Sequence, residues 1–204
     1  MNTIITTVPG YRIYEYQLVL NPHEELWNRI KKVKDDFAEI YKSDQARRSK
    51  PHVLLASFIQ YGQTEERIVT RLNAIAMAQY PFKVELKDFG SFPSHTIYIN
   101  VVSKLPVQHL IRQIRSDAQR LMKHNEENKP YFNMEPHITI GRKLLPWQYE
   151  KGWLEYSNKN FTGRFIADSM LLLKRPVGEG KYQIVRRFQF QNLPVVTKQG
   201  ELFI

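Results

Sequence analysis

Two stretches decide the fold of this chain: Pro51-His52-Val53-Leu54-Leu55 and Pro136-His137-Ile138-Thr139-Ile140. The two histidines stand 85 positions apart, and each opens an apolar run short enough, and flanked well enough, to be a buried strand. Before the first, Leu26, Ile30, Val33, Phe37 and Ile40 recur at steps of three and four, which predicts a helix capped by Asn21 with Pro22 at its first position. This reading leaves Lys31, Lys32, Lys34 and Asp35 mostly outside. After the first Pro-His strand comes a helix begun by Thr64, with Ile68, Leu72, Ile75 and Ala76 on its apolar face. Strands at 82–89 and 96–102 follow, around a turn at 90–94.

The same order recurs around the second histidine. Pro106 opens a helix with Leu110, Ile114 and Ala118 on one side, a polar stretch at 125–133 leads to the strand 138–142, and Pro146 starts a shorter helix. Strands at 161–173 and 182–190 follow, joined by the Gly178-Glu179-Gly180 turn. Helix, Pro-His strand, helix, strand, strand appears twice, so internal duplication is the economical explanation. The expectation is an α+β fold, bilobal and internally duplicated, with antiparallel sheets around a central cleft and helices outside. All of 1–204 would form one domain, with lobes at 21–104 and 105–192, the strand 11–20 joining the second lobe, and 193–204 an edge strand or tail.

Composition narrows the function. With 42% hydrophobic and 25% charged residues the chain reads as an ordinary globular protein, and no apolar run approaches the roughly 20 residues that cross a bilayer. No membrane partner and a cytoplasmic location are therefore expected. The absence of cysteine closes off disulfides, thiolate metal sites and a cysteine nucleophile. Thirty basic residues against twenty acidic ones give a formal charge of +10, which favours anionic partners. Short pairs such as Arg47-Arg48 and Arg186-Arg187 read as solvated faces.

Alternate residues of a strand share a face, so His137, Thr139 and Gly141 are expected to point one way and Ile138 and Ile140 into the core. Imidazole gives or takes a proton near neutral pH, and a threonine hydroxyl can donate to a phosphate oxygen. Two histidines across a cleft then form an acid and base pair that breaks a phosphodiester without a metal. Nearby cations would stabilise charge on the phosphoryl oxygens, and Arg142, Lys143, Lys174, Arg175, Arg47, Arg48 and Lys50 are candidates. His95 lies in Ser94-His95-Thr96, where the threonine must face the other way. His23, His109 and His124 lack the i, i+4 spacing of helical metal ligands, so no metal and no cofactor is expected.

The duplicated Pro-His strands resemble those of the two-histidine (2H) phosphoesterase superfamily, which includes 2'-5' RNA ligase-like proteins and cyclic nucleotide phosphodiesterases. Its pattern is two copies of His-x-Thr/Ser followed by an apolar residue, each on a strand. His137 and Thr139 match the second copy; His52 matches the histidine of the first. Leu54 departs from the pattern, standing where a hydroxyl should be, at a cost of roughly 1.5–3 kcal/mol of phosphate binding. Ser57 cannot replace it unless a bulge intervenes, since three positions along a strand reach the opposite face. Tyr98 and Tyr182 are weaker candidates for substrate contacts. The resemblance implies RNA ends, 2',3'-cyclic phosphates or related phosphodiesters such as 2'-5' linked nucleotides as substrates, and no obligate metal; a monomer is expected. Other readings are a nucleotide- or RNA-binding module that kept the cleft and lost turnover, and a hydrolase of a non-nucleotide substrate.

Overall fold

The structure, a computed structural model, describes residues 12–193 apart from Glu179. The expected edge strand or tail at 193–204 falls almost wholly outside these residues. Nine strands, β1 (Ile13–Leu20), β2 (Val53–Tyr61), β3 (Phe82–Phe92), β4 (Thr96–Val101), β5 (Tyr131–Phe132), β6 (His137–Arg142), β7 (Thr162–Ala167), β8 (Ser169–Pro176) and β9 (Gln183–Gln189), form two antiparallel sheets among the described residues. One has the order β5-β2-β1-β8-β9, the other β6-β4-β3-β7. Five α-helices accompany them among the described residues: α1 (Glu24–Ile40), α2 (Asp44–Arg48), α3 (Glu65–Ala78), α4 (Lys104–Met122) and α5 (Pro146–Tyr156).

Each sheet takes strands from both halves of the chain. The first Pro-His strand, β2, shares a sheet with β8 and β9, and the second, β6, pairs with β4. The layers in space are therefore not the segments 21–104 and 105–192. β1 pairs with β8, as the sequence suggested for 11–20, but pairs with β2 on its other side. The single strand expected over 161–173 is two strands in different sheets, and the chain changes sheet at Asp168, whose carbonyl accepts from Phe190 N at 2.8 Å.

Local chemistry explains the remaining shifts. α1 starts two residues later than Asn21 and Pro22 suggest, because His23 is the extended N-cap and its Nδ1 accepts from Leu26 N at 3.4 Å. The polar stretch after α1 contains the short helix α2, capped by the Ser43 hydroxyl. The buried stripe of α1 is Leu26, Ile30, Lys34, Phe37 and Ala38; Ile40, expected on that stripe, is 54% exposed. Lys34, expected outside, is 1% exposed. Its 3–4 spacing from Ile30 and Phe37 had placed it on the apolar face all along.

Phe37 anchors this layer. It packs on Tyr41 and Tyr156 with ring centroids 4.7 and 5.4 Å away, and the bare Cα of Gly141 makes room for it: a Cβ there would lie 2.7 Å from the Phe37 ring. Gly141 thus faces the helices, not the side of His137 and Thr139 as strict alternation requires. The cause is a break in that alternation.

Candidate active site

β6 carries a β-bulge. Thr139 is opposite Tyr98 while Gly141 is opposite Ile97, so Ile140 is the extra residue and the side chains change sides across it. His137 and Thr139 share the face of Asn100 and Tyr98, Gly141 turns to the helices, and Arg142, opposite Thr96, returns to the face of Thr139. β2 carries the same device at the equivalent place. Leu54 is opposite Val19 and Ala56 opposite Leu18, so Leu55 is the extra residue.

The consequence for Ser57 reverses strict alternation. Ser57 pairs with Gln17, Leu54 with Val19, and both sit on one half-buried face, with Leu55 and Ala56 buried between them. At the offset of 85 that relates the histidines, Leu54 corresponds to Thr139, Leu55 to Ile140 and Ser57 to Arg142. Ser57 lies one pleat further from His52 than Leu54 does, so it does not refill the position of the missing hydroxyl.

β2 and β6 approach each other where the two sheets meet, and this brings the histidines together. His52 stands just before β2 and His137 is the first residue of β6; both are half-buried. Burial lowers His52 to about 4; the positive charges of Lys34, Arg142 and His137 act in the same direction, and a hydrogen bond with the Lys50 backbone opposes them. Burial likewise lowers His137 from its ordinary value, opposed by Glu135. The Nδ1 of His137 lies 2.6 Å from the Glu135 carbonyl. A carbonyl only accepts, so Nδ1 is the donor and Nε2 is left for the cleft.

Aromatic rings wall the second histidine. Tyr98 lies 4.7 Å and Phe92 5.2 Å from the His137 ring, centroid to centroid, and 4.7 Å from each other. Tyr98 leans over Gly90, where a Cβ would fall 2.6 Å from the tyrosine ring and 2.7 Å from Asn100 Oδ1. Gly90→Ala is expected to lower stability by about 1–3 kcal/mol, read from thermal or urea melts, because that ring is held against β3, between Gly90 and the rings of Phe92 and His137. A stability equal to wild type would mean that Tyr98 is free to swing away.

The remaining sequence candidates divide. Tyr182 and Arg142 stand within electrostatic reach of one another, and the Tyr182 hydroxyl donates to Glu15 Oε2 at 3.2 Å. Burial pushes that phenol up to about 12. Arg175 is paired with the same carboxylate, its Nε 2.6 Å from Glu15 Oε2, and stacks over the Tyr182 ring. Lys174 points the other way: opposite the buried Tyr16, it places Nζ 2.8 Å from both carboxylate oxygens of Glu65 on α3. It therefore lies on the helix side of its sheet, away from the histidines. Arg112, Arg115, Ser116, Gln119 and Arg120 line a shallow depression on one face of α4, the i, i+3, i+4, i+7, i+8 pattern of a solvated helix surface. Reading the sequence missed Asn100 opposite His137, Phe92, and Lys34. Of these only Lys34 left a signal, in its helical spacing.

Comparison with known proteins agrees with this architecture. The model of the 2'-5' RNA ligase superfamily matches residues 22–179. A curated protein of Geobacillus thermodenitrificans (strain NG80-2), named as a candidate phosphoesterase, is 30% identical over 102 residues; the match spans 48% of this chain and 55% of that relative. E. coli LigT, solved with 3'-AMP, superposes with a TM-score of 0.56 at 16% identity, covering 88% of this chain and 98% of LigT. TT0787 of Thermus thermophilus superposes with a TM-score of 0.61 at 14% identity, covering 87% and 98%. At these identities the structural likeness speaks for the fold. No helix among the described residues is long and apolar enough to cross a membrane.

Proposed function

Because the chain belongs to the 2'-5' RNA ligase superfamily, we propose that it is a metal-independent phosphodiesterase acting on 2',3'-cyclic phosphates or 2'-5' linked nucleotides at RNA ends. One observation carries the reading: two half-buried histidines from equivalent strands of a duplicated fold, each in the other's electrostatic reach. His52, neutral over nearly the whole working range, takes the proton of the attacking water or hydroxyl. His137, its Nε2 free, gives a proton to the leaving oxygen. Thr139 and Arg142, brought to one face by the β6 bulge, hold the phosphoryl oxygens. Tyr98 and Tyr182 flank the two ends of this arrangement and offer rings or phenols to the nucleoside.

The decisive experiment is hydrolysis of 2',3'-cyclic nucleotides and 2'-5' dinucleotides in excess EDTA. Turnover undiminished by the chelator is expected. Tight nucleotide binding with no turnover of either substrate class would instead make the chain a binding module on an enzyme's scaffold. Turnover of a non-nucleotide ester alone would sink the substrate assignment.

Leu54 sets the level of activity. It occupies the place that Thr139 holds in the second strand, and Ser57 sits a pleat too far to substitute. Leu54→Thr is expected to raise kcat/KM by roughly 10–100-fold, the worth of one hydrogen bond to a charged group in the transition state. An unchanged or lowered kcat/KM would show that phosphate is not held from the β2 side.

A further inference from the structure

A β-bulge strands backbone carbonyls that a regular ladder would have paired, and buried carbonyls need donors. The two bulges meet this need differently. In β2 the carbonyls of Leu54 and Leu55 accept from Asn133, one from its side-chain Nδ2 at 3.1 Å and the other from its backbone N at 2.9 Å. In β6 the equivalent carbonyls, of Thr139 and Ile140, accept from Lys34 Nζ at 2.6 and 3.2 Å. Asn133 shows that a neutral amide suffices for the hydrogen bonds. Burying an ammonium costs far more than burying an amide, so hydrogen bonding alone does not account for a lysine here.

The charged groups around Lys34 are Lys31 and Asp35 on its own helix, Arg142 from the end of β6, and His52 from the segment before β2. Asp35 is engaged by Lys31. The ammonium therefore acts toward the cleft, where it repels the Arg142 guanidinium and a protonated His52, and of the two only His52 answers by giving up its proton.

We propose that Lys34 is a positioning residue of the histidine cleft: its ammonium fixes the bulge that turns Thr139 and Arg142 to one face, and its charge stands behind His52. The proposal rests on the reading of that cleft as the active site. The repulsion disfavours a proton on His52 and so keeps that imidazole ready to accept one. Burial lowers Lys34 to about 7, so the charged form dominates where His52 titrates, at about 4.

The test follows the two rings by NMR in the free protein, without substrate. Lys34→Met removes charge and donors; Lys34→Gln removes the charge and keeps two N–H donors. In both variants the His52 titration is expected to move up by about one pH unit while that of His137 moves much less. In Lys34→Met kcat/KM should also fall, by roughly 10–100-fold, and in Lys34→Gln by less. Should the methionine variant fail to fold by circular dichroism, the glutamine variant carries the titration alone. A His52 titration unmoved in every folded variant overturns the proposal. A shifted His52 in a protein without turnover on any phosphodiester would uphold the role of Lys34 and sink the phosphoesterase reading.

Discussion

Replacing either His52 or His137 by alanine is expected to lower kcat/KM on a 2',3'-cyclic nucleotide by roughly 10²–10⁴-fold, the range in which a positioned acid or base contributes. Both residues are half-buried, not fully enclosed, so the variants should melt close to wild type. The double variant should lose little more than either single one, since an acid and a base that act in one step fail together. Kinetics of the three variants beside wild type, with melting curves as the control for folding, check the expectation. Retention of even a tenth of wild-type activity in either single variant would remove that histidine from the chemistry.

The second large effect is on pH. Acceptance of a proton requires neutral His52, the dominant form above about 4, and donation requires protonated His137, the dominant form below a value held under the ordinary 6.5. The kcat/KM of the free enzyme should therefore rise through about pH 4, peak in the acidic range, and fall tenfold per unit once His137 has lost its proton. By pH 8 the loss from the peak should be at least ~30-fold. Burial and the charges of Lys34 and Arg142 act together against a proton on His52, whereas on His137 burial is opposed by Glu135, which is why His52 is assigned as base. A profile from pH 4 to 9 at constant ionic strength checks the assignment. An activity still climbing at pH 8 would mean that neither imidazole donates the proton.

Much of this was legible because duplication leaves its mark in sequence. Pro51-His52 and Pro136-His137, each followed by apolar residues and preceded by an amphipathic helix, gave both strands and the candidate pair. Alternation then failed at a definite point. A bulge is a choice made by the pairing partner as much as by the strand, so nothing in Leu54-Leu55-Ala56 or Thr139-Ile140-Gly141 announces which residue will go unpaired. Gly141 and Ser57 were displaced from the faces that strict alternation gives them for that reason, and the same bulge turns Arg142 to the face of Thr139. Lys174 was misplaced by a different one: its side was set by Glu65, on a helix more than a hundred residues earlier in the chain. Lys34 was readable from periodicity, yet the habit of placing lysine in solvent overrode its position.

The change of sheet at Asp168 bears on how the molecule is made. β1, the central strand of its sheet, has Tyr14 opposite Pro176, and β3 has Phe82 opposite Ala167. Each sheet thus waits for a strand synthesised near the far end of the chain, and the large loops this closes make folding slow. On the ribosome, β1 and β2 emerge early as an antiparallel pair with one long edge open, and such edges are where nascent chains stick to one another. Assembly of the histidine cleft is accordingly a late event, and a chain cut short before β7 would leave the ribosome with two unfinished sheets.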